Sequence, residues 1–178
     1  MTEFVASVGG ILVPDTNIEI GGTFFVEHVR GGKIIDTFET PNLVVNEGLN
    51  SILGIMFNGV TQVTTWYVGL FEGNYTPVAG VTAATITANS TECVAYDEVT
   101  RVAYNEAAAA AQSISNTANK ATFTFNATKT IYGAFLVSNS TKSGTTGTLF
   151  AATRFAASKA VVAADQLLVT YTLNASSV

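Results

Sequence analysis

The chain has 178 residues, enough for one domain that buries about 70% of the surface its unfolded form exposes. It is 48% hydrophobic and only 12% charged, with a net charge of −5, where an average soluble domain is roughly 25% charged. This balance weighs against nucleic-acid binding, a lone cysteine (Cys93) excludes an internal disulfide, and no apolar run approaches the ~18 residues of a membrane span.

In chain order, residues 1–15 mix small, apolar and glycine positions without a period and read as an extended N-terminal arm. Met1-Thr2-Glu3-Phe4 carries an acid and no cation, unlike a secretory signal. From Ile18 to Arg30 the content is strand-like, with Gly21-Gly22 as a candidate bulge. Arg30-Gly31-Gly32-Lys33 separates two apolar runs, 24–29 and 34–38, and predicts a β-hairpin. Leu49, Ile52, Leu53 and Met56 then fall on one helical stripe, which predicts a short helix over residues 46–57 plugging one end or side of a sheet. Asn46 is its expected N-cap, Glu47 suits the first turn, and Asn58-Gly59 supplies a stop.

Thr64 to Phe71 is a strong strand, and Glu72 to Gly80 a loop. Ala83 to Ser90 is compatible with a helical turn or an extended segment. Glu98 to Tyr104 reads as a strand, while the alanine run 107–111 is left open between helix and extended chain. Ala121 to Asn126 alternates, placing Phe123 and Phe125 on one face. Thr130 to Val137 is apolar on both faces and is expected to be central. Thr148 to Phe155 and Gln166 to Leu173 complete the set, the latter with Leu167, Val169, Tyr171 and Leu173 inward. Short strands broken by turn residues indicate an antiparallel sandwich or barrel spanning residues 16–178 as a single β domain.

Candidate chemistry is sparse. The only histidine, His28, lies in an expected strand and reads as a surface or interface residue; no Gly-x-Ser-x-Gly motif accompanies it. Cys93 reads as a packing residue. One histidine and one cysteine fall short of a zinc set, and the carboxylates Asp15, Asp36, Asp97, Glu98 and Asp165 form no calcium-loop motif. Asp97 and Glu98 are adjacent, so in a strand they would face opposite ways and make poor glycosidase partners. The pairs Gly9-Gly10, Gly21-Gly22 and Gly31-Gly32 lack a phosphate-loop lysine. Trp66, Tyr67 and Phe71 would serve sugar stacking if exposed, but their strand context favours core packing. No catalytic, cofactor-binding or metal-binding residue is therefore expected, and no cofactor.

The succession Asn42-Leu43-Val44-Val45-Asn46-Glu47-Gly48-Leu49-Asn50, Trp66-Tyr67-Val68-Gly69-Leu70-Phe71 and Val99-Thr100-Arg101 resembles small virion structural proteins of tailed bacteriophages. Thr130-Ile131-Tyr132-Gly133-Ala134-Phe135-Leu136, Gly147-Thr148-Leu149-Phe150-Ala151 and Ala164-Asp165-Gln166-Leu167-Leu168-Val169-Thr170-Tyr171 continue the resemblance, which spans roughly residues 42–173. In size and β character the chain looks most like the capsid decoration, or cement, proteins. That resemblance implies a jelly-roll-like fold and a non-enzymatic virion role on the outer surface of the head. It further implies homo-oligomers, trimers favoured, that bind the major capsid protein and bridge its subunits, with neither nucleic acid nor membrane as partner. The alternative is a tail component or a receptor- or glycan-binding module, and a glycan site would show exposed aromatics beside paired Asp and Asn.

Overall fold

The computed structural model describes residues 4–8, 11–14 and 17–177, with side chains from residue 17 onward. In chain order these form β1 (Phe4–Val8), β2 (Ile11–Pro14), β3 (Ile18–Arg30), β4 (Lys33–Pro41), β5 (Leu43–Val44) and α1 (Asn46–Phe57). There follow β6 (Trp66–Phe71), α2 (Ala83–Ser90), β7 (Glu92–Cys93), β8 (Val102–Tyr104) and β9 (Ser113–Ser115). The last four are β10 (Ala121–Thr124), β11 (Lys129–Val137), β12 (Leu149–Val161) and β13 (Gln166–Ser177).

The fold is mainly β, an antiparallel sandwich as expected. One sheet runs β10-β13-β3-β4, with β9 also on β13; the other runs β5-β12-β11-β6-β7, with β8 on β6. The strand order establishes the sandwich and not the jelly-roll connectivity. The hairpin between β3 and β4 turns on Gly31 and Gly32, both with positive φ (57° and 75°), the backbone that a two-residue turn matched to strand twist demands. Gly21-Gly22 is no bulge, since β3 pairs with β13 in unbroken register from Ile18 to Val29. Instead the β3–β4 ladder shifts between His28 and Val29.

β11 is indeed central, and its two apolar faces have separate tasks. Ile131, Ala134 and Leu136 join Val68, Leu70, Phe123, Phe155 and Tyr171 in the core between the sheets. Phe135 and Val137 point the other way, into a second cluster with Phe71, Leu149, Val81, Ala83 and Ile86 beneath α2. The second sheet is therefore buried on both faces, which is why its strands read as continuous apolar runs. Leu167, Val169 and Tyr171 are buried inward as expected, with Leu173 packed at the core's edge.

Several elements differ from expectation. A second helix exists: Ala83–Ser90 folds as α2, its Ala83 N–H donating to the Glu47 carboxylate (2.8 Å) and its Ile86 fully buried. α1 spans the expected residues, but Val45 is the N-cap and Asn46 already lies within the helix. Only Val102–Tyr104 of the expected 98–104 strand is extended in a sheet, and Val99 is 92% exposed. The alanine run is not helical; Ala110 bridges Ser113, and Ala111 and Gln112 take positive φ. Within the expected arm, β1 and β2 pair antiparallel as a two-stranded sheet; residues 1–3, 9, 10, 15 and 16 lie outside the described residues.

Candidate functional site

The candidate side chains of the sequence do not converge. His28 is buried, not superficial: it is 4% exposed, and its Nε2 lies 2.9 Å from Asp165 Oδ2. Asp36 accepts from Lys159 Nζ (2.7 Å), Asp97 from Asn126 Nδ2 (3.3 Å), and Glu98 from the Thr124 N–H (3.1 Å). Each carboxylate thus has a partner of its own, and Asp15 lies outside the described residues. Among the described residues no three His, Cys, Asp or Glu side chains gather to hold a metal ion. Cys93 is fully buried in the core between the sheets, and burial pushes its thiol pKa up to about 11.

Phe71 is fully buried, while Trp66 is half-buried and stacks edge-on against Phe150 at 5.4 Å. Trp66 also lines a cleft of about 170 Å³ with Tyr104, Tyr171, Gln62, Thr64 and Glu106. That cleft holds neither Asp nor Asn, the pair expected of a glycan site; its carboxylate and amide are Glu106 and Gln62.

Two ion networks hold loops in place, and sequence reading found neither. Asp165, 1% exposed, sits in the β12–β13 turn and receives Arg30 in bidentate fashion (2.7 Å each), together with the Val162 N–H (2.9 Å). The Arg30 guanidinium, aided by that backbone N–H and by His28, holds the Asp165 carboxyl well below the usual carboxylate range. Arg101, also 1% exposed, forks onto Glu92 (2.8 and 2.7 Å) and donates to the carbonyls of Asn139 (3.0 Å) and Gly144 (2.9 Å). Its own N–H donates to Ser140 O (2.8 Å), and Glu92 accepts the Ser143 N–H (2.9 Å). The loop following β11 is thereby pinned to the body by a paired charge whose side chain makes four hydrogen bonds. A cation nine residues from an acid carries no sequence signal of this arrangement.

What the surface offers is apolar. α1 seats its Gly48 against the backbone of Phe150, and Glu47 spans from Ala83 N–H to Leu149 N–H (2.7 Å). This orientation splits the expected stripe: Ile52 packs against the core, while Leu49 (39% exposed), Leu53 (57%) and Met56 (67%) turn outward, with Phe57 beside them at 78%. Val60 continues the face at 50%. Beside it runs a groove of about 210 Å³ lined by Ile52, Ile55, Met56, Val63, Trp66 and Phe150. A second feature lies at the far end of the longest ladder. There β3 and β13 remain paired through Ile18–Ser177 although Ile18, Glu19, Gly21 and residues 174–177 are exposed, forming a ribbon that leads toward β2.

No helix among the described residues is long and apolar enough to cross a membrane. No protein-family profile matches the chain, and no curated protein is similar to it.

Proposed function

We propose that the chain is a non-enzymatic virion structural protein that decorates a tailed-phage capsid and stabilises it by bridging neighbouring capsid subunits. The observation that carries this reading is the exposed β3–β13 ribbon leading to the β1–β2 hairpin. Paired strands whose far ends stand exposed offer a backbone edge that a neighbour's strand can extend, the means by which strand addition joins subunits. The sparse charge, the dispersed carboxylates and the resemblance to cement proteins support the same role.

The test is to locate the chain in intact particles by cryo-electron microscopy. Density over capsid subunit junctions is expected. Density confined to the tail would sink the decoration reading in favour of a tail component. Removal of residues 1–15 is expected to weaken binding to capsid shells, and unchanged binding would show that the hairpin is not the bridge.

A further inference from the structure

We propose that the cleft lined by Trp66, between the two sheets, binds a small quaternary ammonium cation. The proposal goes beyond the capsid reading and does not rest on it. Trp66 and Tyr104 are register partners across the β6–β8 ladder, so their side chains leave the sheet on the same side. Tyr171 reaches over from the other sheet to meet Tyr104 edge-on at 5.8 Å, as Phe150 meets Trp66 at 5.4 Å. These four aromatic side chains, with the buried Leu136, line a cleft of about 170 Å³. A cavity of roughly 150 Å³ admits benzene, and a trimethylammonium group has similar bulk.

The chemistry of the lining selects the ligand. Among the described residues that line the cleft, only Glu106 is charged; it is exposed and enters no ion pair with another described residue. Its charge is felt inside, since burial first and the Glu106 carboxylate second push the Tyr104 hydroxyl pKa up. No Lys, Arg or His lines the cleft, so an anion would meet a like charge and no partner. A metal ion needs several ligands, and no three His, Cys, Asp or Glu gather among the described residues. A primary ammonium carries three donors that aromatic walls leave unpaired. A quaternary ammonium has no N–H to satisfy. It presents methyl carbons to the rings and keeps the charge that aromatic side chains and a carboxylate both attract. A phospholipid headgroup would bring its phosphate toward Glu106, which favours a free cation over one borne on a lipid.

The test uses the full chain, with choline as the probe. Trp66 is the only tryptophan, so its fluorescence reads occupancy of the cleft, and equilibrium dialysis of labelled choline counts bound ligand independently. Saturable binding with half-saturation below about 10 mM is expected, and sodium chloride at the same concentration is expected to leave the fluorescence unchanged. The neutral isostere of choline, with carbon in place of nitrogen, is expected to bind about tenfold more weakly. Glu106→Gln alters one exposed side chain. It is expected to weaken choline binding about fivefold, with binding of the isostere and the unfolding midpoint unchanged. Phosphocholine is expected to bind more weakly than choline. No saturable choline binding by either measurement overturns the proposal. So does an isostere that binds as tightly as choline, or a Glu106→Gln variant that keeps the full affinity, because the cleft would then be reading shape and not charge. Tighter binding of N-acetylglucosamine or of phosphocholine would overturn it too, and assign the cleft to a sugar or to a headgroup.

Discussion

Phe71 lies with the tip of its ring over Gly133, its partner across the β6–β11 ladder, so closely that a Cβ at 133 would stand 2.0 Å from the ring. Two pairs along, the relation is reversed: Phe135 covers Gly69, where a Cβ would meet its ring at 2.2 Å. Each strand thus supplies one aromatic ring and one bare backbone, and the rings cover glycine stretches that would otherwise lack packing. The two sites differ in what else is near. At Gly133 an added Cβ would also meet Thr153 O of the neighbouring strand at 2.2 Å, whereas the contacts nearest Gly69 are ring atoms of Phe135 alone. Both substitutions to alanine are expected to destabilise. Gly133→Ala is expected to cost more than Gly69→Ala, because backbone must move as well as a side chain, with overpacking of about 1–3 kcal/mol as the scale. Urea midpoints for the two variants check the order, and equal midpoints would contradict it.

The buried Arg101–Glu92 pair makes a sharper prediction. Both side chains are almost wholly out of water, so Arg101→Ala strands a carboxylate in the interior. The expected cost is about 3–5 kcal/mol. Replacing both partners, Arg101→Met with Glu92→Leu, removes the stranded charge. It still leaves the carbonyls of Asn139 and Gly144 without their donor, so a cost of about 1–3 kcal/mol is expected to remain. Equilibrium unfolding of the single and double variants decides the matter. A double variant as unstable as Arg101→Ala would show that the lost carbonyl bonds, and not the stranded charge, account for the cost.

Asp165 sets the acid limb of stability. Its carboxyl titrates below the ordinary value of about 3.9 because Arg30, the Val162 N–H and His28 favour the charged form. The native state therefore binds this proton less readily than the unfolded chain. The stabilisation is complete above about pH 5 and is lost as pH falls through the unfolded value toward the folded one. Asp165→Asn is expected to cost about 1.5–3 kcal/mol at pH 7, where the charge-assisted bonds are intact, and progressively less toward pH 3. Urea midpoints of wild type and variant from pH 7 to pH 3 test this. A gap that stays constant over the range would remove Asp165 from the account. Asp36 is lowered in the same sense by Lys159, but its side chain is 43% exposed and the pair is screened by water.

Much of the fold was legible because periodicity reports burial. β11 reads as apolar on both faces, and one face meets the opposite sheet while the other meets the cluster under α2. The α1 boundaries were legible too, yet its orientation was not. The expected stripe of Leu49, Ile52, Leu53 and Met56 divides at Ile52, which shares the inner face with Gly48 and Ile55 at i, i+4 and i+7, while the other three turn outward. Only one stripe can face the sheet. A glycine adds nothing to a hydrophobic period, yet Gly48 decides the contest, because any side chain there would collide with Phe150 O at 2.3 Å. Both faces of the helix carry apolar residues, so periodicity alone could not choose which one the sheet takes. α2 was ambiguous for a different reason: its Thr and Ile content suits strands, and the helix is settled by Glu47, far away in sequence, accepting its first N–H. The two ion networks join residues far apart on the chain or in irregular segments, where no period exists to be read.

Cys93 offers a direct measure of how tightly this interior is held. It is fully buried in β7, next to Glu92, and its thiol is pushed up to about 11, so little thiolate exists at pH 8 even when the site opens partially. Reaction with a thiol reagent then requires an opening that returns the group to water and to its ordinary acidity. Labelling of the native chain is expected to be slower than that of urea-unfolded chain by a factor set by the opening free energy. Arg101→Ala removes the partner of the adjacent Glu92. If that opening is the global one, a loss of about 3–5 kcal/mol raises the labelling rate by about two to three and a half orders of magnitude. Mass spectrometry after timed reaction gives both rates. A smaller acceleration, with the full loss of stability confirmed by urea, would mean that β7 frays from the edge of its sheet without the clamp releasing. Labelling in the wild type as fast as in unfolded chain would contradict the burial of Cys93 itself.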